Sequence, residues 1–303
     1  MIQSFVFTQK VVKYIVVNTS EFKKLKMKNK PIITVAIFIY AALLAFWSYI
    51  AINGLQGDHS IAELFSGIYG IMALFGGIFG LTVGRHFGGF KSFIGATVMY
   101  ISLGLLAQVA GQLTYSAYTQ LFNIEIPYPS WGDVGYFGSV IFYIMAAWSA
   151  VKAVRTKVAL KSVLNKLLVV IVPIGLLTLS YVVFLSNYKY QDGQLLATIL
   201  DFGYPLGQAI YIAIALLALV LSRKFLGGIM KNVILLLIFA FFLQYVADFM
   251  FLYQHNQDTW KTAGLNELVY LTAYFVMTMS LIKFNGVILQ LSPKKDESHV
   301  DSD

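Results

Sequence analysis

Eight long apolar stretches, separated by short polar segments, follow one another along this chain. Each is close to the about 20 residues that an α-helix needs to cross a bilayer. They span Pro31–Ile52, Ile61–Val83, Phe93–Tyr118, Val134–Val151, Leu164–Ser186, Leu195–Leu221, Val233–Tyr253 and Leu265–Phe284. Because backbone polar groups in lipid must pair within their own segment, the pattern predicts an all-α polytopic membrane bundle of about eight transmembrane helices.

The composition agrees with this class. Of the 303 residues 58% are hydrophobic and 12% are charged, and the mean hydropathy is +0.74, whereas soluble domains are about 25% charged. The chain has no cysteine, which excludes disulfides and thiolate chemistry. Its net charge of +8 does not indicate nucleic-acid binding, because lysine and arginine gather on the cytoplasmic side of membrane proteins.

The basic residues predict an orientation. All but Lys189 and Lys261 of the 22 lysines and arginines fall on one side of the predicted spans. The positive-inside rule therefore predicts that both termini lie in the cytoplasm. Residues 1–30 are then a basic cytoplasmic segment, either an interfacial amphipathic helix or the result of a mis-assigned start upstream of Met27. Residues 286–303 form a polar cytoplasmic tail.

An internal repeat is visible, because spans two to four resemble spans six to eight. The matched pairs are Ser60–Glu63 with Thr198–Asp201, Gly84–Phe87 with Ser222–Phe225, Gln108 and Gln112 with Gln244 and Asp248, and Asp133–Tyr136 with Glu267–Tyr270. They predict two four-span repeats, 31–153 and 154–285, in parallel orientation about an axis along the membrane normal. Ligands often bind between such halves.

A proline-rich loop precedes the fourth span. Pro127 and Pro129 prevent a helix there, and Ser130 with Asp133 has the spacing of a capping box. The loop therefore ends by starting a membrane helix at Ser130.

Polar side chains recur on the span faces near the side opposite the lysines. Acids, tyrosines and glutamines form pairs spaced by three or four residues, and the two members of such a pair share one helix face. These residues are Asp133 with Tyr136, Asp201 with Tyr204, Glu267 with Tyr270, Gln208 with Tyr211, Gln108 with Gln112, and Gln244 with Asp248. Lipid cannot solvate such faces, so they predict an acidic chamber, lined by tyrosine and glutamine and open to the outside.

The acids also have structural explanations. Glu63 and Asp133 follow Ser60 and Ser130 by three residues, where a carboxylate caps a helix and favours its dipole. Glu267 is similar, with Asn266 as a possible cap, and Asp201 is open to both interpretations. Asp248 differs, because it lies near the C-terminal end of the seventh span, where the dipole disfavours a negative charge. It is either a functional group or a structural carboxylate with hydrogen-bonded partners.

Three segments together resemble a bacterial membrane sensor region that is found ahead of diguanylate cyclase modules. They are Pro127–Tyr136, which contains the family's Pro-Ser-x-x-Asp-x-x-Tyr loop, Tyr204–Leu206, which reads Tyr-Pro-Leu, and Ala247–Asp248 near the end of a span. The resemblance implies a sensory role with a ligand of unknown identity. It also implies a prokaryotic cell membrane as the location. The family often has Asp where Gln208 stands, and no cyclase follows the eighth span, so either a signal would pass to a partner protein or the family role has been lost.

The sequence therefore supports three hypotheses. The leading one is a stand-alone sensory or ligand-binding membrane module that takes a small extracytoplasmic ligand, cationic or polyol, and contacts a cytoplasmic or membrane partner protein. The second is a secondary transporter or a cation or proton pathway that uses Asp248 and Asp201. The third is a structural subunit without a ligand. No catalytic or phosphate-binding motif is present, so neither an enzyme, a metal centre nor a cofactor is predicted.

Overall fold

The computed structural model describes residues 19–57, 60–124, 126–154, 163–182, 195–222, 229–257 and 259–291, and this part of the chain is all-helical. The α-helices are α1 (Thr19–Ile52), α2 (Ser60–Ile68), α3 (Ile71–His86), α4 (Phe93–Ser116), α5 (Trp131–Val154), α6 (Val163–Ser180), α7 (Leu195–Ser222), α8 (Ile229–Asn256) and α9 (Leu265–Leu291). A short 3-10 turn precedes α4 and a π-helical turn extends it.

Seven helical segments of the described chain are long and apolar enough to cross a membrane. They are Lys30–Ile52, Ser60–His86, Phe93–Leu121, Trp131–Ala153, Leu195–Leu221, Lys231–Gln254 and Leu265–Gly286. The prediction of an all-α membrane helix bundle is confirmed in this form. The fifth predicted span is only partly described: α6 contributes the shorter apolar segment Val170–Leu179, and residues 183–194 lie outside the described part.

The predicted terminal segments are only partly described. Residues 1–18 and 292–303 lie outside the described part of the chain. The helix of the first span begins at Thr19 and continues through Pro31 without a break. The basic residues from Lys23 to Lys30 therefore belong to the same helix as the first span.

The second predicted span is built from two helices, α2 and α3, which are interrupted at Tyr69 and Gly70. A Cβ on Gly70 would lie 2.1 Å from Oε1 of Gln112 on α4. Nε2 of Gln112 donates a hydrogen bond of 2.5 Å to the backbone oxygen of Ser66. The interruption therefore lets a glutamine from α4 reach the backbone of the broken helix.

The helices pack as a ring with two peripheral members. Around the ring, α3 packs on α4, α4 on α5, α5 on α7, α7 on α8, α8 on α9, and α9 returns to α3. Outside it, α1 packs mainly on α9, and α6 packs on α7. Fully buried residues such as Leu105, Tyr143, Phe241 and Tyr274 fill the interior.

Glycines allow the ring helices to approach closely. A Cβ on Gly76 would lie 2.1 Å from Oγ1 of Thr278 on α9, and one on Gly80 would lie 2.1 Å from Oγ of Ser102 on α4. Gly135 on α5 faces the backbone of α4 directly, because its Cβ would lie 2.4 Å from the nitrogen of Gly111. Small residues at such positions are typical of helix contacts within membranes.

The bundle has two chemically different ends. The acid-rich end carries Glu63, Asp133, Asp201 and Glu267, at the N-terminal ends of α2, α5, α7 and α9; the basic end carries Arg85, Lys91, Lys152, Lys231 and Lys283. Side-chain contacts connect neighbouring segments at each end. At the acid-rich end the hydroxyl of Thr262 donates to the backbone oxygen of Gly57, and at the basic end Nζ of Lys152 lies 5.7 Å from the ring centre of Phe93.

Candidate functional site

Asp248 on α8 is the centre of a polar cluster formed by three helices. Its carboxylate accepts hydrogen bonds from the hydroxyl of Tyr270 on α9 and from Nε2 of Gln208 on α7. Nε2 of Gln244, one turn earlier on α8, lies 3.4 Å from both carboxylate oxygens. Asp248 is about 12 Å from the end of α8, at 1.5 Å of helix per residue, so the cluster lies within the span.

All these partners are neutral. The described part of the chain places no lysine, arginine or histidine among the hydrogen-bond partners of Asp248. A carboxylate in a membrane helix is costly unless it is paired, neutralised or in contact with water. The surroundings of Asp248 therefore agree with both of its predicted roles, a functional group or a hydrogen-bonded structural carboxylate. Its position in α8 excludes helix capping.

A second set of hydrogen bonds connects α9 to α4 and α5. The hydroxyl of Tyr274 donates to Oε1 of Gln108 at 3.0 Å, and Nε2 of Gln108 donates to Oγ of Ser139 at 2.7 Å. Tyr274 stacks on Tyr270, with ring centres 6.2 Å apart. The aromatic contact therefore joins this set to the Asp248 cluster.

Glu267, in the first turn of α9, binds α2. Its two carboxylate oxygens accept from Oγ of Ser66, at 2.9 and 2.7 Å, and one of them accepts from the backbone nitrogen of Ala263 at 3.1 Å. Glu267 is only 5% exposed. The predicted cap by Asn266 is wrong, because Asn266 lies inside α9 and its buried Oδ1 has no partner in the described chain.

Asp133 combines helix capping with a contact to another helix. The backbone nitrogen of Ser130 donates to its carboxylate at 2.8 Å, and Oγ of Ser130 accepts from the nitrogen of Gly132 at 3.1 Å. These reciprocal bonds confirm the predicted capping box at the start of α5. The hydroxyl of Tyr204 on α7 also donates to Asp133, at 2.9 Å, so capping alone does not describe this carboxylate.

The other two acids at this end differ from each other. Asp201 lies in the second turn of α7 and accepts a hydrogen bond of 2.5 Å from the hydroxyl of Tyr128 in the loop before α5. Glu63 lies in the first turn of α2 and is exposed, and its backbone oxygen accepts from Nε2 of Gln120. The predicted capping of α2 by Ser60 and Glu63 stays a prediction, because residues 58–59, which precede the helix, lie outside the described part.

The acid–tyrosine pairs share a helix face as predicted, but each bonded partner comes from elsewhere. Asp133 pairs with Tyr204 rather than with Tyr136, and Asp201 pairs with Tyr128 rather than with Tyr204. Tyr270 bonds Asp248 on the neighbouring α8. Tyr136 instead packs its ring against Gly111 of α4. The acids and tyrosines therefore form hydrogen bonds between different helices. The spacing of residues along one helix does not show which helices these bonds join.

Exposure within the cluster is graded. Asp133, Tyr136, Asp201, Tyr204, Asp248 and Tyr270 are partly exposed, whereas Gln108, Gln112, Gln208, Gln244 and Tyr211 are buried. The sequence predicts that all of them line an open chamber. The structure instead buries the amides and Tyr211 in the bundle and leaves a partly exposed rim of these acids and tyrosines.

An open groove lies beside this cluster, between α5 and α7. Its volume is about 270 Å³ and its lining includes Asp133, Val134, Phe137, Leu196 and Leu200. A second groove, of about 410 Å³, is apolar and lies between α1 and α3. Asp248 lines neither of them.

Several site residues were missed by the sequence reasoning. They are Ser66, Tyr69, Ser139, Tyr143 and Tyr274. Ser139 and Tyr143 follow Tyr136 by three and seven residues, so a search along that helix face would have found them. The hydroxyls of Tyr143 and Tyr211 and Oε1 of Gln244 are buried without a hydrogen-bond partner in the described chain.

Comparisons with models of protein families, with curated proteins and with solved structures gave no match for this chain.

Proposed function

We propose that this chain is a sensory or ligand-binding membrane module, in which a small solute from the acid-rich side binds at Asp248. The observation that carries the proposal is the Asp248 cluster itself: a carboxylate within a span, held by Gln208, Gln244 and Tyr270 from three helices. Because these donors are all neutral, the ionised form of Asp248 has a negative charge that a ligand can complement.

The acid-rich side is proposed to face out of a prokaryotic cell, with the basic end and both termini in the cytoplasm. The eighth span, proposed to include α6, gives each half of the chain four spans. This arrangement leaves the partly exposed rim of acids and tyrosines accessible to an external solute. The resemblance to sensor regions adds the proposal that a cytoplasmic or membrane partner protein receives the signal.

The two-repeat arrangement is supported by equivalent contacts between the halves. Ser66 and Tyr204 lie three residues after the matched acids Glu63 and Asp201, and Asp133 is matched to Glu267. Tyr204 donates to Asp133, and Ser66 donates to Glu267. The helix contacts agree, because α5 packs on α7 as α9 packs on α3. A ligand at Asp248 is therefore proposed to change packing between the halves.

The test is a thermal-stability screen of purified wild type and Asp248→Asn against small cations, amines and polyols. A ligand that binds only the folded state raises its stability by mass action. The proposal expects at least one compound to raise the melting temperature of the wild type and not that of Asp248→Asn. A screen without any such compound, together with an Asp248→Asn protein as stable as the wild type, favours a structural subunit instead.

A cation or proton pathway is the second candidate, and one observation favours it. Tyr211 and Tyr143 continue the polar path from Gln208 and Asp248 toward the middle of the bundle, with ring centres 5.9 Å apart. Flux into proteoliposomes separates the two functions. A pathway requires flux that Asp248→Asn abolishes, whereas a sensory module binds its ligand without flux.

A further inference from the structure

Three buried oxygen atoms without partners lie in the interior near Asp248. They are Oε1 of Gln244 and the hydroxyls of Tyr211 and Tyr143, and no group of the described chain hydrogen-bonds them. Gln244 is 1% exposed and both tyrosines are fully buried. Leaving a buried polar group unpaired costs about 1–3 kcal/mol, so three in one region indicate that another species binds there.

The residues that carry these three oxygens adjoin the groups that bind Asp248. Nε2 of Gln244 is 3.4 Å from both oxygens of Asp248, so Oε1 belongs to the amide group that contacts the carboxylate. Tyr211 follows Gln208 by three residues on α7, on the face that donates to Asp248. Aromatic side chains in helices lean toward the helix N-terminus, and α5 and α7 both begin at the acid-rich end. The rings of Tyr211 and Tyr143 pack on each other, with ring centres 5.9 Å apart, and both pack on Phe241 of α8.

The chemistry of this set favours a small hard cation. All its atoms are oxygens, the ligands that hard metal ions prefer. A single carboxylate balances one positive charge, whereas a divalent ion would leave an uncompensated charge in the interior. Nothing in the described chain groups three histidines or acids for a divalent or transition metal. Neither groove is lined by these residues.

We infer that Asp248, Gln244, Tyr211 and Tyr143 bind one monovalent metal cation such as Na⁺. The inference rests on the proposed function and names the class of ligand that the site takes. A rotation of the Gln244 amide exchanges its donor nitrogen for its acceptor oxygen at the carboxylate. The oxygen can bind a cation there, which the N–H group cannot. Tyr143 belongs to the first repeat and the other three residues to the second, so the cation links the halves.

The experiment is equilibrium binding of radioactive sodium ions to the purified full-length chain at constant ionic strength, with choline as the replacement ion. The wild type is expected to bind sodium saturably, and unlabelled sodium but not choline should compete. Asp248→Asn should lose the binding. Tyr211→Phe and Tyr143→Phe each remove one neutral oxygen, which should weaken affinity on the order of tenfold.

Tyr245→Phe is the matched control. It also removes a buried tyrosine hydroxyl, but one that donates to the backbone oxygen of Leu176 on α6 at 3.2 Å, so it should bind sodium as the wild type does. Absence of saturable binding in the wild type, or unchanged affinity in both Tyr211→Phe and Tyr143→Phe, overturns the cation site. If an amine or polyol still stabilises the wild type through Asp248 in that case, the proposed function survives and only its ligand class is wrong.

Discussion

At the scale of single residues, Asp133 and Asp248 have different roles although both carboxylates lie near the same end of the bundle. Asp133 accepts the backbone N–H of Ser130 and so stabilises the first turn of α5. Asp248 lies in the last third of α8, accepts only from side chains in the described chain, and satisfies no helix N-terminus. The carboxylate of Asp133 therefore stabilises its own helix, α5, whereas the carboxylate of Asp248 does not stabilise an end of α8.

Ser130→Ala tests the capping box. It removes the oxygen that accepts from Gly132, and loss of such a cap costs about 1 kcal/mol. The variant should therefore unfold at a slightly lower denaturant concentration than the wild type in detergent, with its sodium binding unchanged. Ser48→Ala is the control, since that hydroxyl donates within α1 to the oxygen of Leu44. Equal stability of Ser130→Ala and wild type would contradict the capping role.

The sequence predicted the local features of these residues better than their partners. The Ser130–Asp133 spacing specifies a cap because both groups belong to one turn. The bond from Tyr204 to Asp133 joins α7 to α5, and no local pattern encodes which distant helix lies opposite. Two local predictions also failed: Asn266 lies inside α9 and does not cap it, and Tyr143 was missed although it shares a helix face with Tyr136.

At the scale of elements, the contact between α4 and α5 depends on glycines that leave no room for a side chain. A Cβ on Gly135 would meet the oxygen of Ala107 at 2.6 Å and the nitrogen of Gly111 at 2.4 Å. Both are backbone atoms, so no side-chain movement relieves the clash. The close approach brings Gln108 within hydrogen-bonding distance of Ser139 and so positions part of the polar cluster.

Gly135→Ala should separate these helices, whereas Gly138→Ala on the same helix should not. Overpacking typically costs about 1–3 kcal/mol, and a clash with backbone lies at the upper end. A Cβ on Gly138 meets no atom within 4 Å, so that variant isolates the effect of helix propensity. The measurement is the melting temperature of both variants. A Gly135→Ala protein as stable as Gly138→Ala would contradict the packing of α4 on α5.

The apolar stretches predicted the helices because length and hydropathy are properties of each segment alone. The interruption between α2 and α3 was not predicted, because it depends on Gln112 of another helix occupying the space beside Gly70. The fifth predicted stretch is only partly described, since residues 183–194 lie outside the described part of the chain.

At the scale of the whole molecule, the separation of charges between the two ends is the basis for the proposed orientation. Lys91 in the turn before α4 is exposed at the basic end, and Gln257 after α8 is exposed at the acid-rich end. The chain has no cysteine, so introduced thiols report single positions without a background.

Thiol labelling of intact cells tests that orientation. Gln257→Cys should react with a membrane-impermeant maleimide added outside, and Lys91→Cys should react only after the membrane is permeabilised. The reason is the preference of lysine and arginine for the cytoplasmic side. The reverse pattern would place the acid-rich end inside the cell and remove external access to Asp248.

An experimental structure of the purified protein in sodium, at a resolution that shows bound ions, tests the central claim most directly. The account predicts density in contact with the carboxylate of Asp248, Oε1 of Gln244 and the hydroxyls of Tyr211 and Tyr143, with that density absent when choline replaces sodium. A carboxylate that contacts only Gln208, Gln244 and Tyr270 in both conditions, with both tyrosine hydroxyls paired to protein groups, would contradict it and assign Asp248 a structural role.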